Sequence, residues 1–197
     1  GDVYKRQVPD FPAWIEYSWS EWNRVRVSGI LRHYSYRDLV ADKRRGVMGW
    51  GVMLSGNLQP ARPVTFYYQF AYGKGIGAYL QDIAGKPISF VPDNECPGKM
   101  KASPMMGANI GVSINPSAKW QINAMFSESR IWDVEDYCNA LPESQNYKYA
   151  LYGAVNCFYN ITSYLQAGIE YLYGRRTTWN HGGASDSRIQ TQLAFTF

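Results

Sequence analysis

Long apolar runs are missing from this sequence: no stretch approaches the roughly 18 consecutive apolar residues that a membrane-spanning helix needs. Hydrophobic residues still make up 46% of the chain, but they are interleaved with polar ones instead of gathered into blocks. A helical membrane protein is therefore excluded. A protein that crosses a membrane with strands is not excluded, because half of its strand positions can face water and be polar.

Residue types that bind metals or act as nucleophiles are also scarce. The chain has three cysteines, Cys96, Cys138 and Cys157, and two histidines, His33 and His181. No Cys-x-x-Cys spacing occurs and the histidines are isolated, so we predict no metal site, no cofactor and no catalytic residue. Because Cys96 and Cys138 both fall in polar segments, two alternatives stay open: a Cys96–Cys138 disulfide or three free thiols.

Two glycine-containing segments lack the context that their chemistry would need. Gly73, Gly75 and Gly77 are similar to a phosphate-binding loop, but nothing with helical periodicity follows them. Residues 181–183, His-Gly-Gly, are similar to an oxyanion-hole sequence, but no Gly-x-Ser-x-Gly elbow is present to supply a serine. We interpret the first segment as a flexible strand end and the second as a loop, and the sequence does not predict an enzyme.

Charge of either sign is modest and dispersed. The chain has 20 Lys and Arg against 16 Asp and Glu, a formal net charge of +4. The only run of three basic residues is residues 43–45, whereas a nucleic-acid-binding surface needs a contiguous basic stripe. We therefore predict no nucleic acid partner.

Regular alternation of apolar and polar residues is what the sequence has instead, with a high aromatic content of 16%. The last ten residues, RIQTQLAFTF, place Ile189, Thr191, Leu193, Phe195 and Phe197 on one face of a strand. This strand fits the closing strand of a transmembrane barrel, whose backbone groups must all be paired, and it also fits the final strand of a soluble β-sandwich. With aromatics at the last and third-last positions, it resembles the C-terminal assembly signal of bacterial outer-membrane proteins. That resemblance implies that Phe197 contacts the barrel-assembly machinery.

About nine segments alternate in this way. Connections after the odd-numbered strands are short and those after the even-numbered strands are long, as in barrels with short periplasmic turns and long outer loops. Because bacterial single-chain barrels have even strand numbers, we predict about nine C-terminal strands of a larger, 16-stranded barrel. The fold class is an all-β, antiparallel, up-and-down transmembrane β-barrel. The predicted strands are residues 13–17, 23–36, 47–57, 64–74, 106–115, 119–132, 147–159, 164–176 and 188–197.

The opening residues do not share this periodicity. Residues 1–7 read GDVYKRQ and are similar to translated sequencing-adapter sequence. We therefore expect a non-native leader at residues 1–7, followed by the C-terminal portion of the barrel at residues 8–197.

Basic residues of the strands fall mainly on the polar face, where Ile30 is the one large apolar residue of the second strand. An Arg or Lys on the lipid side near mid-membrane would cost about 2–4 kcal/mol, so this parity predicts a water-filled lumen. Basic residues lining a lumen favour anions, or alternatively pair with acids and only fill the space. The predicted pore-lining, solute-guiding residues are Arg24, Arg26, Arg32, Lys148, Glu170, Arg176, Arg188 and Gln190.

Three segments resemble DcaP-like outer-membrane porins: residues 72–82 (YGKGIGAYLQD), residues 168–176 (GIEYLYGRR) with the final strand, and residues 27–37 (VSGILRHYSYR). The resemblance covers residues 8–197. It implies a homotrimeric, many-stranded porin in the bilayer of the bacterial outer membrane that passes small anionic, dicarboxylate-like solutes. It also implies that the N-terminal half, and with it the loop that narrows the pore, lies outside this chain.

Two other functions stay open: a soluble ligand-binding β-barrel, and an outer-membrane barrel enzyme whose catalytic residues lie in the missing half. A soluble barrel predicts that Ile110, Val112, Ile122 and Ile169 point inward. A porin predicts that they point outward, toward lipid.

Overall fold

The alternating segments form one antiparallel sheet of nine strands, in the order β1-β2-β3-β4-β7-β8-β9-β10-β11. The predicted all-β, up-and-down architecture and its strand number are confirmed. In the part of the chain that the structure describes, β1 and β11 do not pair with each other, so the sheet is open. Its strands are β1 (Phe11–Ser20), β2 (Asn23–Asp38), β3 (Lys43–Ala61), β4 (Val64–Lys74), β7 (Pro104–Ser117), β8 (Trp120–Ile131), β9 (Tyr149–Asn160), β10 (Leu165–Thr177) and β11 (Gly183–Phe195).

This computed structural model describes residues 9–38, 41–180 and 182–197. The expected leader at residues 1–7 and His181 of the His-Gly-Gly segment therefore lie outside the described residues. Within the described ranges, no helix is both long enough and apolar enough to cross a membrane.

The β2–β3 hairpin reaches further than the sequence predicted. The predicted strands end at residue 36 and resume at residue 47, but β2 continues to Asp38 and β3 begins at Lys43. Ion pairs support the extension: Arg45 Nε lies 2.7 Å from Asp38 Oδ2, and Arg37 Nη2 lies 2.6 Å from Asp42 Oδ1. The predicted connection was too long because closely spaced charges are typical of a solvated loop. In the structure these opposite charges pair across the hairpin instead.

The register of the strands gives the sheet an apolar face, which we call the outer face. Ile110, Ile122 and Ile169 lie on this face and are 59%, 38% and 54% exposed, as expected for a wall that contacts lipid and not for a soluble barrel. Val112 lies on the same face. One row of directly paired residues crosses six strands: Phe66, Val112, Ala124, Val155, Tyr171 and Ile189.

Residues 75–103, which connect β4 to β7, fold back over the opposite face, which we call the inner face. This inward loop contains a 3-10 turn (Gly77–Tyr79) and a small hairpin, β5 (Phe90–Pro92) with β6 (Met100–Ala102), that the sequence did not predict. Its apolar residues join inner-face residues in the main buried cluster. The cluster includes Ile76, Leu80, Ile83, Ile88, Val91, Met105 and Ile131.

Small inner-face residues make room for the inward loop. A Cβ on Gly51 would lie 2.8 Å from Ile76 Cγ2, and a Cβ on Gly107 would lie 2.6 Å from Leu80 Cδ2. Ile30 also packs against the cluster, which explains the one large apolar residue on the polar face of β2. The sequence did not predict that residues 75–103 fold inward in this way.

A second long connection, residues 132–148, packs beside the inward loop. It contains the short helix α1 (Glu135–Asn139), and Val134, Cys138 and Tyr147 are buried in the same cluster. All three cysteines are free, so the structure decides against the Cys96–Cys138 disulfide.

Candidate pore-lining face

Two arginines of β2 project from the inner face into one groove, but their surroundings differ. Register places Arg26 opposite Glu16, and Arg26 Nη2 lies 2.7 Å from Glu16 Oε2. The guanidinium of Arg26 also lies 4.5 Å from the ring centroid of Trp14. Arg24 instead donates from Nε to Asn57 Oδ1 at 2.7 Å, a neutral partner. Among the described residues, the charge of Arg24 is thus not matched by a carboxylate.

Arg32, further along the same face, connects the wall to the inward loop. Its Nε lies 2.9 Å from Asp10 Oδ2, and its Nη1 donates to the carbonyl oxygen of Gly75 at 2.7 Å. The hydroxyl of Tyr79 donates to the same Asp10 oxygen at 2.5 Å. Arg32 is therefore ion-paired and holds the start of the loop against β2. Of the glycines that suggested a phosphate-binding loop, Gly73 lies at the end of β4, and Gly75 and Gly77 lie in the turn that follows it.

Arg176 and Lys148 lie at the end of the sheet that carries the long connections. Arg176 Nη2 donates to the carbonyl oxygens of Glu143, Ser144 and Asn146 at 3.0, 2.8 and 2.7 Å. The ammonium of Lys148 lies 4.7 Å from the ring centroid of Trp179. Arg176 therefore holds the connection at residues 132–148 in position. Lys148, the last residue of that connection, packs against Trp179.

Glu170 lies in a row of amide side chains that crosses β8 to β11. Asn123 Nδ2 donates to Asn156 Oδ1 at 2.7 Å, and Asn156 Nδ2 donates to Glu170 Oε2 at 2.9 Å. On its other side, Glu170 Oε1 accepts a hydrogen bond from Gln190 Nε2. The predicted set contained Glu170 and Gln190 but missed Asn123 and Asn156, although their strand parity is the same.

Arg188 is an exposed inner-face residue of β11, and within the described ranges no carboxylate pairs with it. Among the predicted cations, Arg24 and Arg188 are the two that are exposed and have no carboxylate partner in the described ranges, and one lies near each edge of the sheet. Their positions, far apart in strand order, do not form a single catalytic or ligand-binding cluster.

The inward loop and the inner face enclose a cavity of about 850 Å³. Its lining is mixed, with amide, hydroxyl and carboxylate groups next to aromatic and aliphatic ones. No group of three or more metal-ligating side chains occurs in the described part of the chain. The lining includes Trp14, Gln69, Tyr79, Asp82, Asn109 and Ser129.

Burial changes the acidity of two groups in the connection at residues 132–148. Desolvation raises the pKa of the Cys138 thiol, and desolvation likewise raises the pKa of the Tyr147 hydroxyl, which hydrogen-bonds to Ser129. Both groups stay protonated at neutral pH. In the structure both side chains pack in the buried cluster, and Tyr147 also hydrogen-bonds to Ser129.

Solved structures of other proteins contain a sheet similar to this one. The crystal structure of the outer membrane channel DcaP of Acinetobacter baumannii matches with a TM-score of 0.76 and 17% sequence identity, over 96% of this chain and 52% of that chain. The chain is similar in fold to this channel. The predicted fold of an outer-membrane barrel wall is thereby confirmed.

The chain spans about half the length of the DcaP channel, 52%. A NanC porin structure also matches, with a TM-score of 0.45 and 11% identity, over 95% of this chain and 93% of that chain. No protein-family model matches the chain, and no curated protein matches its sequence.

Proposed function

We propose that this chain forms part of the wall of a bacterial outer-membrane porin through which small anionic solutes diffuse passively. The observation that carries the proposal is the two-sided sheet: an exposed apolar outer face, and an inner face with polar residues, exposed arginines and the inward loop. An apolar outer face contacts lipid, and a polar inner face keeps a lumen filled with water.

In this function no bond is made or broken, and the inner face acts through its charge. Arg26 and Arg32 are neutralised by Glu16 and Asp10 and contribute little net potential. Arg24 and Arg188 supply the bias toward anions, because the interaction of two unit charges 4 Å apart in water is about 1 kcal/mol. The preference is therefore graded, and solutes of both signs pass.

The inward loop gives the lumen its shape. It covers the inner face of β3, β4 and β7 and is held there by its buried cluster and by Arg32. We infer that it narrows the pore and so limits the size of the solutes that pass.

The finer parts of the proposal rest on the resemblance of residues 72–82 and 168–176 to DcaP-like porins. These parts are that the protein is a homotrimer, that it passes dicarboxylate-like solutes, and that its assembly begins with recognition of Phe197. The exposed position of Phe197 agrees with such a contact. Location in the bacterial outer membrane agrees with the fold likeness to the DcaP channel.

The test is a planar-bilayer recording across a salt gradient, on the full-length protein that contains this chain. We expect stepwise currents and a reversal potential that favours anions. Arg24→Gln and Arg188→Gln should each lower the anion-to-cation permeability ratio by up to about fivefold, because about 1 kcal/mol is lost with each charge. The matched control is the double variant Glu16→Gln/Arg26→Gln, which removes an ion pair without changing the net charge and should keep the ratio.

Two results would contradict the proposal. Folded protein that inserts into bilayers without conducting would remove the channel function. Unchanged permeability ratios in both single variants would remove Arg24 and Arg188 as the source of selectivity.

A further inference from the structure

The outer face has an apolar groove of about 670 Å³, lined almost entirely by carbon, across β4 and β7 to β10. It exists because two neighbouring strands have small side chains here: register places Gly153 of β9 between Phe126 and Tyr173, and Ala124 of β8 adds only a methyl group. The rim is formed by large residues, among them Phe66, Ile110, Phe126, Val155, Tyr171 and Tyr173. A groove of this composition on a lipid-facing wall is filled by an apolar chain, because water there would lose its hydrogen bonds.

Two arginines lie on the same outer face, beside the groove and toward the long connections. Glu128, Leu151 and Arg175 form the row next to the one that contains Gly153, and Arg130 follows in the next row, opposite Tyr149. Arg130 Nη2 lies 2.8 Å from Glu128 Oε1, and its guanidinium lies 4.9 Å from the ring centroid of Tyr149.

The charges beside the groove do not cancel. Glu128 neutralises Arg130, but within the described ranges Arg175 is exposed and has no acidic partner. The cost of an outward arginine is highest at mid-membrane and falls toward the interface, so Arg130 and Arg175 belong at the depth of the lipid headgroups. A guanidinium at that depth is matched best by a phosphate, which it can bind through two parallel hydrogen bonds.

We propose that this surface binds one phosphate-bearing lipid of the leaflet on the long-loop side. An acyl chain occupies the groove over Gly153, and the phosphate binds Arg175, with Arg130 beside it. This inference rests on the proposed function in one respect, namely that the outer face contacts lipid. It adds a specific lipid site, which neither the fold likeness nor the inner-face arginines require.

Native mass spectrometry of the full-length protein, extracted from membranes in mild detergent, tests the site by counting retained phosphate-bearing lipids. We expect wild-type protein to retain such a lipid and Arg175→Gln to lower the lipid-bound fraction about tenfold, since a charge-assisted hydrogen bond is lost. Gly153→Leu should lower it as well by filling the groove. The backbone can accept this change, because a Cβ there would lie 3.8 Å from the nearest atom, the carbonyl oxygen of Met125.

Two control variants make the same kinds of change at positions outside the proposed lipid site. Arg188→Gln removes an arginine from the inner face, and Ala167→Leu adds the same side chain to the outer face away from the groove, so both should retain the lipid. Equal retention in all variants would overturn the site. Loss of the oligomer in Gly153→Leu, with no lipid retained by any variant, would also overturn it, since a second copy would then occupy the groove.

Conductance of the same variants distinguishes this inference from the proposed function. Arg175→Gln and Gly153→Leu should conduct as the wild type does. Lipid retention that follows Arg175 in a protein without conductance would contradict the channel alone, and normal conductance with no dependence on Arg175 would contradict the lipid site alone.

Discussion

Individual inner-face residues differ in whether a neighbour neutralises them. Arg26 and Glu16 have side chains 39% and 23% exposed, so their ion pair is worth at most about 1 kcal/mol in stability. Its larger effect is on the field in the lumen, since a close pair acts as a dipole and an unpaired guanidinium acts as a full charge. Under the proposed function, we therefore expect Arg24 and Arg188 to contribute more to selectivity than Arg26 and Arg32.

A second prediction at the scale of residues concerns the cysteines. Cys138 is fully buried, and burial raises the pKa of its thiol, so the reactive thiolate is scarce at neutral pH and increases as the pH rises. Cys96 is only partly buried. A short pulse of maleimide at pH 7, read by mass spectrometry, should modify Cys96 well before Cys138, and the Cys138 rate should rise with pH.

Unfolded protein is the control for this labelling experiment, because all three thiols should then react together. Equal rates at Cys96 and Cys138 in the folded protein would contradict the buried position of α1. So would a mass that shows the two thiols joined.

Sequence parity was sufficient to place Arg24, Arg26 and Arg32 on one face, as the structure has them. It could not show which of them are paired. Glu16 follows from the register of β1 with β2, but Asp10 lies before β1, and Gly75 lies in a loop without a period. Partners that lie in irregular segments cannot be located from the period-two alternation of apolar and polar residues.

The inward loop is the element that the sequence described least well. Its anchoring residues are spread over residues 75–103 without periodicity, so they read as an irregular stretch. Their counterparts on the wall were visible only as glycines at inner-face positions of β3 and β7. Glycine leaves room for a close neighbour because it has no side chain, and the structure places residues of the same chain there.

At this scale we predict that the loop depends on its buried cluster. Ile83 is fully buried, so Ile83→Ala should weaken the packing of the loop by about 2–5 kcal/mol. The expected result is faster proteolysis within residues 75–103 and a larger, noisier single-channel conductance. Ile110→Ala, at an outer-face position that is 59% exposed, is the matched control and should leave both unchanged. A loop equally resistant in both variants would show that the cluster does not hold it.

For the whole molecule, the predicted topology was correct because period-two alternation located all nine strands of the sheet. The predicted alternation of short and long connections holds only in part: the connections after β4 and β8 are long, whereas those after β2 and β10 are about as short as the one after β9. Strand ends were less accurate: β3 and β11 begin earlier than predicted. Hairpins continue beyond the apolar band when charged side chains can pair across them, and there hydrophobic alternation is no longer a guide.

The central claim is that successive residues of each strand lie alternately on an inner face that contacts water and an outer face that contacts lipid. Labelling in lipid vesicles tests it directly, in full-length protein whose three cysteines have been replaced, with single cysteines introduced as Asn109→Cys and Ile110→Cys. Asn109 lies on the inner face of β7 and Ile110 on the outer face. A charged, water-soluble thiol reagent should modify position 109 rapidly and lower the conductance, and should leave position 110 unmodified. Rapid modification at position 110, with position 109 protected, would contradict the membrane wall.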